Sequence, residues 1–320
     1  MRKVSLFLIA TVCFAAACTG ARQPKAASSD AEPQSATSPQ MPTDELPLPE
    51  VPASLREPAE RAGFVVEHFW DAMEFRDTLR SHNSDFMEQN FANFASVLPI
   101  AAPSSRKKAV DTLLAKAEAD STAYVLLVEI AEKYLYDPNS PMLDEESYIL
   151  FLENITESPV LGEYGVIRPR YQLEAALKNR QGTIAADFNY VTRNGKRGSL
   201  RKTPVNGLLM LMFYDPDCGH CKEVVESLHT EPLLRQMIDD NELRVLAVYS
   251  GEERELWQET ASLLPEEWEV AFDTTEVEVR GIYNFRAMPA IYLLDASNRI
   301  LLKDVLTQTL LQSLYEYKMQ

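Results

Sequence analysis

Grouped basic residues are scarce in this 320-residue chain: 31 Lys and Arg face 48 Asp and Glu, a formal net charge of −17. Neutralising a phosphate backbone takes clustered cations, so the balance argues against nucleic acid as a partner. It fits a soluble body repelled from anionic surfaces. No glycine-rich phosphate loop, G-x-S-x-G elbow or H-E-x-x-H helix occurs, which argues against the chemistries those motifs carry. Cysteine is scarcer still, with only Cys13, Cys18, Cys218 and Cys221. Apolar residues are not lacking. At 46% they are ample for a packed core in one or two domains.

The first apolar stretch, VSLFLIATVCFA, follows a basic start and is too short to span a membrane. Small residues, AAAC, then run into Cys18, and this is similar to the lipobox of a bacterial lipoprotein signal. The resemblance implies cleavage after residue 17 and a diacylglycerol on Cys18. Ala15 stands where Leu is usual, and Ala15-x-Ala17 also suits ordinary signal peptidase, which would release a soluble exported protein. Cys13, behind bulky Val12, reads as a residue of the apolar stretch. The expected address is the cell envelope, facing the periplasm, as an outer-membrane lipoprotein of a Gram-negative bacterium. One cysteine pair then remains in the folded body, where disulfides form and persist.

Residues 18–52 are rich in Ala, Ser, Gln and Pro and cannot bury enough surface to offset chain entropy, so a disordered tether is expected. Residues 53–182 predict a small all-α domain. Ala62, Val66, Phe69 and Met73 share one helical face; so do Met87, Phe91, Phe94 and Leu98, with a stop at Pro99, and Tyr124, Val128, Ala131 and Leu135. DEESYILFLENI carries a capping signal, and PRYQLEAALKN follows a helix-compatible Pro169. Trp70 reads as core, and His68 and His82 have no ligand-spaced partners.

From 183 to 320 the pattern is α/β. A hairpin is expected around Asn194-Gly195. Buried strands are expected at LLMLMFY and RVLAVYS, shorter ones at WEVAFD and AIYLLD, and a pairing of NRILLKDV after a turn at 296–298. CKEVVESLHTEPLLRQMIDD, EERELWQETASLL and TQTLLQSLYEY read as helices, and VEVRGIYNF as a helix between two strands. The expectation is a mixed central sheet flanked by helices.

Cys218 and Cys221 sit where a buried strand ends and a helix begins, in YDPDCGHCKE. A thiolate there faces unpaired backbone N–H groups and the positive end of the helix dipole. Cys218, at the turn, is the nucleophile; Cys221, one turn in, resolves the mixed disulfide. LLMLMFY, the CGHC motif and AMPAIYLLD together resemble the thioredoxin superfamily, specifically TlpA-like thiol–disulfide oxidoreductases, over about residues 185–320. That resemblance implies a cis Pro289 against the cysteine pair, with Met288 offering backbone groups to a substrate. It also implies a substrate surface formed with Gly219, Asp217 and Tyr214. The expected partners are protein disulfides or dithiols and a membrane redox donor or acceptor, with no cofactor beyond the Cys218–Cys221 disulfide and no metal. EHFWDAMEF, YLYDPNSP and RPRYQLEAALKNR resemble an uncharacterised domain preceding TlpA-like domains in some Gram-negative lipoproteins, which carries no chemistry over.

The motif departs from that family. Asp217 replaces the Trp usual before the first cysteine, and Met212 replaces a buried Asp six residues before it. Asp217, Asp215 and Glu223 are the nearby acids in sequence that could take the resolving proton. His220, when charged, favours the Cys218 thiolate and Asp217 disfavours it. Three other readings stay open. A zinc site would have two of its four ligands, since His220 lies between the cysteines and His229 two turns beyond. A structural disulfide would close too small a loop to stabilise much. A binding module on the same fold would need no chemistry. Redox direction is open as well: Gly-His leans towards isomerase or oxidant, TlpA-like relatives towards reductase.

Overall fold

The computed structural model describes residues 45–319, so the expected signal peptide, Cys13 and lipid-bearing Cys18 lie outside the described residues. The described residues belong to one compact unit.

The helical region comprises α1 (Pro58–His68), α2 (Thr78–Ser81), α3 (Ser84–Val97), α4 (Pro103–Ala117), α5 (Ser121–Leu135), α6 (Glu145–Glu157), α7 (Gly162–Gly165) and α8 (Ile167–Ala176). Proline opens α1 and α4, where a missing N–H costs nothing. Asp77, Asn83, Asp120 and Asp144 accept the N–H groups of Leu79, Phe86, Ala123 and Ser147, relieving orphan donors at the starts of α2, α3, α5 and α6. The expected stripes point inward: Val66, Phe69, Met73, Met87, Phe91, Phe94, Tyr124 and Leu135 are all buried in one cluster, with Trp70 among them. Sequence patterning missed α4, whose first half, PSSRKK, is polar and whose apolar residues begin only at Ala109.

Part of the span expected to be a tether is packed. Leu46 is 5% exposed, belongs to the helical core, and donates its N–H to Asn90 Oδ1 at 2.7 Å. A lone Leu ahead of prolines has no periodicity to betray it.

The remaining chain builds β1 (Asn189–Thr192), β2 (Arg197–Ser199), β3 (Leu208–Tyr214), α9 (Gly219–Thr230), α10 (Pro232–Asp239), β4 (Leu243–Tyr249), α11 (Arg254–Thr260), β5 (Glu269–Asp273), β6 (Ala290–Asp295), β7 (Ile300–Leu302) and α12 (Thr307–Lys318). Among the described residues the strands form one sheet in the order β2-β1-β5-β4-β3-β6-β7. β3–β4 and β4–β5 are parallel and the other pairings antiparallel, so the sheet is mixed, as expected. The fold is thioredoxin-like, with the helical region N-terminal to the sheet.

β3 lies between β4 and β6, and all seven of its side chains are buried. Alternation sends Met210 and Met212 to the face covered by α9, α10 and α12, and Leu209, Leu211 and Phe213 to the face packed with Phe188, Tyr283 and Tyr292. One expectation fails: VEVRGIYNF forms turns, not a helix. Glu276 (φ 62°) and Gly281 (φ 61°) take left-handed conformations that end helical continuation, and the Asp273 carboxylate accepts the N–H groups of Thr275 and Val277, both at 2.7 Å.

Candidate redox site

At the C-terminal end of β3 the chain enters an Asx turn. Asp215 Oδ1 accepts the Asp217 N–H at 2.8 Å, and the Asp215 carbonyl accepts the Cys218 N–H at 3.2 Å. Cys218 is the N-cap of α9, its sulfur accepting the Cys221 N–H at 3.2 Å. A helix-terminal N–H therefore points at the first sulfur.

The Met288–Pro289 peptide is cis, as the resemblance implied. The Met288 carbonyl accepts from the Cys218 thiol at 3.8 Å. Structure thus joins Cys218, Cys221, Met288 and Pro289, residues 70 positions apart in sequence, at one place.

Both thiols are free, but their surroundings differ. Cys218 is half-buried; Cys221 is 1% exposed, packed in the core under α9. Burial pushes the Cys221 thiol up to about 12; the Asp215 N–H works against that shift, while the neighbouring Cys218 sulfur and Asp215 carboxylate add to it. Met212, which holds the position of the missing buried acid, is wholly buried between Ala247 and Ile291 in the sheet and offers no proton acceptor.

The other sequence candidates divide. Gly219 is exposed and opens α9 with free space where a Cβ would stand, so no close packing demands glycine there. Asp217 is exposed. The His220 side chain is 69% exposed and lies 3.6 Å from Glu223, a pair turned to solvent. Tyr214 is buried, which raises its phenol above the ordinary range, and it lines a groove without forming an open surface.

That groove, about 700 Å³, runs from the motif along α9. Asp215, Asp217 and Cys221 line one end, and Val225, Leu264 and Pro265 its apolar length. Glu226, Glu266 and Glu267 add negative charge, and His229, two turns beyond Cys221, sits 2.9 Å from Glu267. Asp215 and Asp217 therefore share a cavity with Cys221, and Glu223 is not among the lining residues.

Sequence reasoning passed over Arg193, beside the hairpin turn. Its guanidinium donates to the carbonyls of Ala261, Leu264, Pro265, Glu266 and Trp268 at 2.8–3.2 Å, fixing the groove's far wall. An arginine in a polar turn carries no local sign of that task.

The model for a domain of unknown function, DUF5106, matches residues 17–179. A thioredoxin-like protein from Bacteroides caccae has a similar crystal structure: 34% identity, 85% of this chain and 98% of that chain covered, TM-score 0.78. A conserved protein of unknown function from Bacteroides fragilis is 37% identical over 42% of this chain and 98% of its own, with a TM-score of 0.41. A thiol-disulfide oxidoreductase from Bacteroides fragilis NCTC 9343 is 20% identical over 42% of this chain and 99% of its own, with a TM-score of 0.36. No curated protein matches the chain.

Proposed function

The chain belongs to the thioredoxin-like proteins and carries the DUF5106 domain, and from that premise we propose that it is a TlpA-like thiol–disulfide oxidoreductase of the cell envelope. The observation that carries this reading is the Cys218 sulfur at the start of α9, capped by the Cys221 N–H at 3.2 Å and facing the Met288 carbonyl at 3.8 Å.

In the reductive direction the Cys218 thiolate attacks one sulfur of a substrate disulfide. A mixed disulfide forms and the other substrate sulfur leaves as a thiolate. Cys221 then loses its proton and attacks the Cys218 sulfur; the remaining substrate thiolate leaves and the Cys218–Cys221 disulfide forms. Two electrons pass to the substrate, and a dithiol donor on the membrane side restores the pair. Run backwards, the same steps oxidise a dithiol. A buried thiol with a raised pKa needs an acceptor for its proton, and Asp215, lining the same groove, takes that role where Met212 cannot. The Met288 carbonyl and neighbouring backbone align the substrate strand, with Pro289 beside it.

Cleavage before Cys18 and lipidation of that residue would hold the folded body at the outer membrane, facing the periplasm, where protein disulfides are its substrates.

A thiol-exchange assay on the full chain tests the chemistry. Cys218→Ser should abolish exchange, and Cys221→Ser should trap a mixed disulfide through Cys218. Exchange persisting in Cys218→Ser would overturn the reading. A reduction potential measured against glutathione assigns direction: near thioredoxin's, about −270 mV, a reductase; near the isomerases', about −180 mV, an isomerase or oxidant.

A further inference from the structure

The loop from Ile282 to Pro289 brings Met288 to the sulfur, and its polar anchors run to the helical region. Asn179, beyond α8, donates its Nδ2 to the Ile282 carbonyl at 2.8 Å while its Oδ1 accepts the Ala186 N–H at 2.8 Å. The Tyr171 hydroxyl, on α8, donates to Asn284 Oδ1 at 3.4 Å. Arg286 Nη1 donates to the carbonyl of Tyr136, at the end of α5, at 3.3 Å, and the guanidinium carbon lies 4.9 Å from that residue's ring centre.

Arg286 is also the centre of a buried charge cluster. It pairs with Asp304 at 2.8 Å and lies 3.9 Å from Glu145, the first residue of α6. Lys303 lies 2.6 Å from Glu145 and donates to the carbonyls of Ala176 and Lys178 at 2.8 and 2.7 Å. The side chains of Arg286 and Lys303 are 6% and 8% exposed, and those of Glu145 and Asp304 11%.

Charges buried this deeply are costly to desolvate, and an apolar seam of similar size would hold the two regions at least as firmly. What such a seam would not do is select one register. A planar guanidinium with a carboxylate and a carbonyl as fixed acceptors does, because its donors point in set directions. Arg286 stands two residues before Met288, so whatever fixes its guanidinium limits where the Met288 carbonyl can lie.

We infer that the helical region serves as a brace on the substrate-aligning loop, with Arg286 as the positioning residue that carries its hold to the Met288 carbonyl. This assigns a role to the region matched by the domain of unknown function, and its effect on catalysis rests on the oxidoreductase reading above.

The test uses the full chain and two variants that leave Cys218 and Cys221 untouched. Arg286→Lys keeps the charge but loses the fork. Asn179→Asp keeps the acceptor for the Ala186 N–H but loses the donor to Ile282, and it lies outside the ion cluster. Oxidised insulin is the disulfide substrate, and hydrogen exchange at amides 283–288 is read alongside. In both variants exchange at these amides should quicken about tenfold, and KM should rise about fivefold with kcat within about twofold. Unchanged exchange at 283–288 in both folded variants would overturn the brace. Faster exchange with KM unmoved would overturn its part in substrate alignment. Failure of the unmodified chain both to reduce insulin and to oxidise a dithiol peptide would count against the oxidoreductase reading, and hydrogen exchange would still decide the brace.

Discussion

In the helical region several polar side chains close helix starts or pair with a neighbouring charge. Asp77, Asn83, Asp120 and Asp144 each cap a helix, and His68 and His82 each lie 2.8 Å from a carboxylate. In the sheet region two thiols are left free at the end of the central strand, one of them inside the core with its proton held tightly. The contrast teaches where each region's free energy goes. The first uses polar groups to close helix ends and pair charges, and the second encloses a thiol whose proton burial holds in place.

Four measurements would break or sharpen that contrast. The largest effect is expected from Phe94→Ala, which empties a fully buried site contacting Phe69, Trp70 and Phe91. It should cost about 3–5 kcal/mol in denaturant unfolding. Alkylation of Cys218 in the folded fraction should not change, and a changed rate would show that the helical core tunes the sulfur.

Asp215→Asn should do the reverse. The amide keeps the oxygen that accepts the Asp217 N–H, so stability should hold, but the resolving step should slow by about 10²-fold at neutral pH. Stopped-flow decay of the mixed disulfide reads this. The deficit should shrink as pH rises and Cys221 ionises without help, whereas a pH-independent deficit would remove Asp215 from the proton's path.

A third measurement follows from linkage. Cys221 holds its proton more tightly folded than unfolded, with a pKa raised from 9.0 to about 12, so the folded state binds more protons across that interval. Stability from this source is complete below about pH 9 and is lost as pH rises towards 12. The oxidised protein has no such thiol. Reduced minus oxidised stability should therefore fall above pH 9, and a flat difference would show that burial does not hold the proton.

The smallest effect is Asn83→Ala, which removes the cap on the Phe86 N–H at the start of α3 and should cost about 1 kcal/mol in the same unfolding assay. Insulin reduction should be unmoved.

Much of this was legible in the sequence because it is local. The cap at the start of DEESYILFLENI, the Asn194-Gly195 turn and the seven-residue apolar strand ahead of CGHC act within a few residues of themselves, and each appears where patterning puts it. Failures came where distant residues override the local signal. VEVRGIYNF has helical spacing, but the Asp273 carboxylate takes its first N–H group and Glu276, just before it, adopts a left-handed backbone. Leu46 sits among prolines and looks unpartnered, yet a helix 44 residues away receives it.

By itself the sequence determined the sulfur pair, its place at a strand–helix junction and the absence of the usual buried acid at Met212. Those depend on order along the chain. Only the tertiary structure decided that Asp215 and Asp217, and not Glu223, share a cavity with Cys221, that Arg193 holds the groove wall, and that Arg286 meets the carbonyl of Tyr136 from 150 residues away. A guanidinium's partners are set by which elements pack against it, and no periodicity encodes that.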